Sequence, residues 1–352
     1  MTTAGEILVS RIYLACVKKC EAGFVADDRL GIDRHYSIGA QRLAALAGGS
    51  WPHQVASDRL DELCGIRLCP NTIREIVQKH GAAMDAWQNS AAEACREFRE
   101  TAGETEFTTD GTCVNTLAGW REMKIGIFAK RESGDATTPD EWASRDLPSP
   151  TTSFAFGALE VSSRFGRKWK ANARRLGILD TSNITVLADG AKWIWEEQLN
   201  NLRGASGVLD IFHAVEHIAE TSRAVLGADT DAASTWLDKG RIILIRDGWP
   251  GISAFLDETH KPLRSKAKRK SLTSLKSYLA SHMHPLNYAD RLAAGKSIGS
   301  GQVEGACKNM IGRRLKQTGA RWAVPRVNRM VGLCANLYSK QWNLYWNSIL
   351  KS

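Results

Sequence analysis

No stretch of this 352-residue chain approaches the ~18 consecutive apolar residues that a membrane-crossing helix needs. The opening residues, MTTAGEILVSRIYLACVKKC, lack the basic-then-apolar layout of a secretory signal, so a cytoplasmic protein is expected. Cysteine pairs at metal-site spacing are scarce. Of the eight cysteines only Cys16 and Cys20 fall close together, and no second pair follows at zinc-ribbon spacing. They amount to half a zinc knuckle at most, and the others read as buried thiols. Acid is the most unevenly missing ingredient. From Lys261 to Arg329 there are sixteen Lys or Arg against only Asp290 and Glu304, giving this segment a charge of +14 when the whole chain carries +9. A block so one-sided repels itself unless a polyanion neutralises it, and DNA or RNA is the expected polyanion.

What is present divides into segments. Apolar residues make up 43% of the chain, enough for a sizeable core spread over two or three domains. Residues 1–36 show little periodicity. Residues 37–105 are helical in pattern, and within them SWPHQVASDRLDELCG and PNTIREIVQKHGAAMDAWQ are joined by IRLC, with Gly65 closing one helix and Pro70 opening the next. This is helix-turn-helix spacing, in which Asn71, Thr72, Arg74, Gln78 and Lys79 are expected on an exposed, DNA-facing surface. The plainer alternative is an ordinary helical hairpin.

At Glu106 the period shortens. EFTTDGTCV, WREMKIGIFAK and TSFAFGALE alternate as strands, and then a basic helix, the strand ITVLADG, the helix AKWIWEEQLNNL, the strand GVLDIF and the helix HAVEHIAETSRAVLG follow. Residues 106–227 therefore predict a five-stranded mixed α/β sheet: a hairpin pair, a central strand and two parallel strands, the ribonuclease H-like layout. Residues 228–295 interrupt it as a helical insertion, and 296–352 return to the sheet as helices, with Trp342, Tyr345 and Trp346 as core anchors.

Three carboxylates stand out. Asp110 is expected to end the first strand and Asp189 the first parallel strand, so the two emerge side by side. Each belongs to an Asp-Gly pair, which more often marks a turn. Glu304 falls in the first turn of a helix after Gly299, Ser300 and Gly301, with Ser300 as N-cap, where an acid serves equally as a helix cap. Three such acids suit two hard divalent ions, Mg²⁺ or Mn²⁺, for phosphodiester chemistry. Lys308, Arg313, Arg314, Lys316 and Arg321 are expected phosphate contacts, joined by Arg74 and Lys79, and more weakly by Lys168, Arg174 and Arg175. Trp322 is either a base-stacking ring or a core residue.

The motifs TTDGT, LADGAKWIW, VLDIFHAVEH and SIGSGQVEGACKNMIGRRLKQTGARW resemble those of bacterial insertion-sequence transposases of the Asp-Asp-Glu type, in the Kra group of the mutator-like assemblage. The resemblance covers roughly residues 20–345. It implies cleavage of double-stranded DNA at element ends and joining of 3′-hydroxyl ends to target DNA, with Asp110, Asp189 and Glu304 as metal ligands and a dimer or larger assembly on DNA. The same pattern includes an acid three residues before a histidine, matched by Asp210 and His213, which read equally as a helix cap with a hydrogen-bonded histidine. The family pattern includes more cysteine-containing sequence before the place of CVKKC, so the resemblance implies a chain that is N-terminally short by comparison. A DNA-binding protein without catalysis and a structure-specific nuclease are the rival readings.

Overall fold

The computed structural model describes residues 1–352 other than 16, 18–21, 25–26, 28–31, 34, 180–182, 283 and 352. Cys16 and Cys20 lie outside the described residues. The centre is a five-stranded sheet built from β1 (Glu104–Thr116), β2 (Gly119–Arg131), β3 (Thr152–Ala158), β4 (Ile184–Ala188) and β5 (Ser206–Leu209), in the spatial order 3-2-1-4-5. The pairs β1–β2 and β2–β3 are antiparallel, whereas β1–β4 and β4–β5 are parallel. The predicted order of hairpin, central strand and two parallel strands is the observed one.

Strand alternation sorts side chains to two faces. Phe107, Phe128, Phe154 and Phe156 point to one side, where they meet Phe165 and Trp169 of α5 (Ser162–Arg175) and Ile194 of α6 (Lys192–Asn201). The Phe107 ring lies 4.4 Å from that of Phe128 and 4.8 Å from that of Trp169. Val114, Met123, Ile125, Ile127 and Ala155 line the opposite face.

That second face is covered by helices from both ends of the chain, with α1 (Ile38–Ser50), α2 (His53–Cys64) and α3 (Pro70–Ser90) from the N-terminal part, while α4 (Glu93–Glu100) puts Cys95 and Phe98 into the cluster on the first face. Near the sheet's other end α7 (Ile211–Leu226) packs against the insertion, made of α8 (Asp231–His260), α9 (Lys266–Ser281) and α10 (Tyr288–Ala293). The chain then forms α11 (Gly301–Ala306), a π-helical turn at Cys307–Gly312, α12 (Arg313–Leu315), α13 (Val324–Tyr338) and α14 (Trp342–Lys351).

The helices of 37–105 do not enclose a core of their own. Ala44, Ile73, Val77 and Met84 share one with Val331, Leu333 and Trp346. The crossing of α3 and α13 is tight because Gly81 and Gly332 face each other's backbone there. A Cβ on Gly81 would strike the Arg329 carbonyl, and one on Gly332 the Gly81 carbonyl. Tyr345 and Trp346 are buried as expected, both against His80, whose Nδ1 lies 2.9 Å from the Tyr345 hydroxyl.

Two expectations about exposure fail for the same reason: long polar side chains find carbonyl partners in distant segments. Gln78, expected to face DNA, is 8% exposed, and its amide donates to the Arg326 carbonyl. Arg314, expected to meet a phosphate, is 4% exposed. Its Nε donates to the Gly48 carbonyl at 2.8 Å and its Nη2 to His53 Nε2 at 3.1 Å, while its guanidinium stacks 4.9 Å from the Trp322 ring. Arg291, in the same basic block, is also buried and pairs with Glu104 at 3.1 Å, tying the insertion to β1.

Since arginine can only donate, the Arg314 contact requires His53 to accept at Nε2 and hence to be neutral. Burial first, then the charges of Arg314, Arg74 and Arg326, lower its pKa to about 4. The unfolded chain therefore takes up this proton at higher pH than the folded one, and stability present above pH ~6.5 is lost as pH falls toward 4. Acidification from pH 7 to 5 is expected to lower the melting temperature, through a term of at most about 2 kcal/mol after discounting for solvent around this partly open ring. His53→Gln should flatten that pH dependence in thermal melts; an unchanged profile would exclude His53 as its source.

Candidate active site

The parallel ladder between β1 and β4 runs from Thr105↔Ile184 to Thr108↔Leu187. Asp110 and Asp189 each follow the last pair by two residues and so leave the sheet at the same level. Asp189 stands just beyond its strand, as expected. Asp110 does not end its own: it is the seventh residue of a thirteen-residue strand whose antiparallel ladder with β2 continues to Thr116↔Gly119. Pairing with β2 overrides the turn preference of Asp-Gly. What ends near Asp110 is the second neighbour, β4.

Each aspartate is oriented by a backbone N–H. Asp110 Oδ1 accepts from Gly111 at 2.6 Å and Asp189 Oδ1 from Ala191 at 3.0 Å. The Trp195 indole donates to the Asp189 carbonyl at 3.0 Å. Burial, followed by the charge of Asp189, pushes the Asp110 carboxyl above the usual range, against the Gly111 N–H, the charge of His213 and the Cys307 thiol.

Glu304 arrives from the other end of the chain on α11, which packs against β1 and β2. Three residues later, Cys307 Sγ sits 3.8 Å from Asp110 Oδ2. Burial and the Asp110 charge hold this thiol's pKa up to about 12, with Glu304 adding a smaller push, so no thiolate competes with the carboxylates. The Glu304 carboxylate has no hydrogen-bond or ion-pair partner among the described residues. As arranged, no three His, Cys, Asp or Glu side chains among the described residues stand close enough to hold a metal ion. The charge of Asp189 acts on Asp110, and those of Asp110 and Glu304 both act on the Cys307 thiol.

What carries Glu304 there is Asp210. Fully buried, it caps α7 by accepting the Phe212 and His213 N–H groups on Oδ1 at 2.7 and 3.2 Å. Its Oδ2 accepts both the Ser300 N–H and, at 2.5 Å, the Ser300 hydroxyl. Ser300, expected as the N-cap of the following helix, makes no cap bond there; its side chain is committed to Asp210. One carboxylate thus ties the end of β5 to the turn four residues before Glu304. His213 lies half-exposed, 3.3 Å from Glu216, with its charge acting on Asp110. His217 packs against Tyr278 with ring centroids 4.2 Å apart and the rings tilted at 47°.

Tyr278 gave no signal in the sequence. It comes from α9 in the insertion and packs directly over Gly190, where any Cβ would collide with its ring and hydroxyl. Its buried hydroxyl has no hydrogen-bond partner among the described residues, and burial with the charges of Asp189 and Asp210 raises its pKa.

The cations sort into two groups. Lys308, Arg313, Lys316 and Arg321 are exposed, as is Lys79, while Arg74 is half-buried. Lys316 donates to the Thr112 hydroxyl, two residues along β1 from Asp110. Trp322 is the core residue of the two alternatives, its indole donating to the Leu315 carbonyl at 3.1 Å. Arg175 is also structural, donating to the Gln88 and Ala91 carbonyls, and Lys168 pairs with Glu160 at 3.4 Å.

Comparison with family models and with curated proteins finds no match for this chain.

Removing the tie should separate two effects. Ser300→Ala deletes one of four bonds and is expected to cost about 1 kcal/mol in denaturant unfolding. Asp210→Ala strips a helix cap and orphans buried N–H groups, and is expected to cost about 3 kcal/mol or more. Equal, small losses would show that Asp210 is only an ordinary cap.

Proposed function

We propose that this protein is a transposase of the Asp-Asp-Glu type, cutting DNA at the ends of an insertion element and joining the 3′-hydroxyl ends to target DNA. The observation that supports the reading is the matched register of Asp110 and Asp189 across two parallel strands, with Glu304, 194 residues further along than Asp110, on a helix that packs against the strand bearing Asp110. The 3-2-1-4-5 order, antiparallel then parallel, supports a ribonuclease H-like core. Helices α2 and α3, separated by Gly65 in the left-handed conformation, support a helix-turn-helix.

The donor chemistry fits a hard cation. Asp110 and Asp189 put like charges against one another in a partly buried setting, and that repulsion is what a divalent ion relieves. Asp110, Asp189 and Glu304 would hold Mg²⁺ or Mn²⁺. When bound, a pair of such ions supplies an activated water or 3′-hydroxyl and stabilises the leaving oxygen.

The rest falls to this chain's side chains. Gly111 and Ala191 fix the two aspartates, Asp210 fixes the approach of Glu304, and Lys308, Arg313, Lys316 and Arg321 offer positive charge to the phosphodiester backbone. Arg74 and Lys79 extend this charge onto α3. Pairing two element ends would take at least two copies of the chain, working on the nucleoid in the cytoplasm.

The test is a strand-transfer assay with duplexes taken from the DNA flanking the coding sequence. Asp110→Ala, Asp189→Ala and Glu304→Ala are each expected to lower cleavage and joining by more than about a hundredfold while leaving DNA binding in EDTA intact. Activity that survives these changes would remove the three acids from the mechanism. DNA binding without cleavage in Mg²⁺ or Mn²⁺ would leave a DNA-binding protein, and hydrolysis without joining would leave a nuclease.

A further inference from the structure

The segment that follows Glu304 does not leave the sheet. Cys307 touches Asp110, Lys316 reaches Thr112, and Trp322 bonds to the end of β1. There its N–H donates to the Asn115 carbonyl at 3.1 Å and its own carbonyl accepts from Leu117 at 2.9 Å. The segment therefore tracks β1 from the carboxylates to the hairpin tip. At that far end lies a cavity of about 360 Å³ between α2, α3 and the segment before α13. Asp110 and Thr116 are six residues apart on an extended strand, so the cavity lies roughly 20 Å from the acids.

Four guanidiniums, of Arg74, Arg314, Arg321 and Arg326, line it with His53 and Trp322, and its lining includes no acidic residue. Arg314 is the fixed member, held by Gly48 and His53 and stacked on Trp322. The other three differ in kind. Among the described residues, none of Arg74, Arg321 and Arg326 has an ion-pair or side-chain hydrogen-bond partner, although Arg74 and Arg326, with Arg314, act on the same histidine. Gathering uncompensated guanidiniums in one concavity costs self-repulsion, and an anion relieves it. Planar, five-donor forks match phosphate oxygens better than any other side chain does.

We infer that this cleft is a second DNA-contact site, in which Arg74, Arg321 and Arg326 grip backbone phosphates of duplex DNA whose path runs from the carboxylates along the Lys308–Arg321 ridge. At ~3.4 Å per base pair, the phosphates held there lie about six base pairs from the bond at Asp110. The identity of the anion rests on the proposed function; the cleft itself does not depend on catalysis.

The experiment uses the full chain, a 40-base-pair duplex and EDTA, so that binding is read without cleavage. The double variant Arg74→Ala/Arg326→Ala is expected to fold normally, since neither side chain has a partner to lose. It should bind at least tenfold more weakly near 0.1 M salt, with the log–log salt slope reduced by about two. Arg203→Ala/Lys239→Ala, which removes two exposed charges elsewhere, is expected to change the slope by less than one. Equal slopes for the two double variants, or an unchanged slope in the cleft variant, would overturn the inference. Persistent cleavage by Asp110→Ala alongside a reduced slope in the cleft variant would instead sink the catalytic reading and leave the cleft standing.

Discussion

The structure depends on an imbalance in how β1 is paired. Along one edge its antiparallel ladder with β2 runs the full thirteen residues; along the other, β4 matches it for only four. From Thr109 onward that second edge would be an open row of backbone groups inside the molecule, which a stable fold must cover. The segment between Glu304 and Trp322 meets β1 at two points, through Cys307 against Asp110 and through Trp322, which exchanges backbone hydrogen bonds with Asn115 and Leu117. The segment that meets β1 beyond the end of β4 is thus the one that begins with Glu304.

The two ends of the chain meet on one side of this sheet. The N-terminal helices and the C-terminal pair bury their apolar sides against each other and against one sheet face. The insertion keeps a largely separate core with α7 and β5, yet sends Arg291 to Glu104 and Tyr278 to Gly190. Residues placed as far from the acids as the insertion therefore border them.

Much of this is legible in the sequence alone. Period-two alternation at Met123, Ile125 and Ile127 located β2, and the alternation of strand and helix from Ile184 onward gave the parallel half of the sheet. What was not legible depended on partners far along the chain. Nothing local distinguishes Arg313, which is exposed, from Arg314, which is buried by a carbonyl 266 residues away. Ser300 has the right type and place for a helix cap, and only the folded chain supplies Asp210 as the stronger acceptor. Asp-Gly at 110–111 is a turn by local preference and a strand by pairing. Arg326 and His53 carry no motif and come to line one cleft only in the folded chain.

The π-helical turn at Cys307–Gly312 has a consequence for how this region tolerates change. Such a turn holds one residue more than an α-helix of the same rise, which amounts to about 100° of rotation about the axis. Upstream of it, Glu304 lies on a helix that packs against β1; downstream, Arg313 and Lys316 face outward. Deleting any single residue between 307 and 312 would preserve composition and hydrophobicity almost unchanged while swinging one of these sets out of phase with the other. The widened turn acts as a phase adjuster, letting a short stretch of chain present opposite charges in two directions.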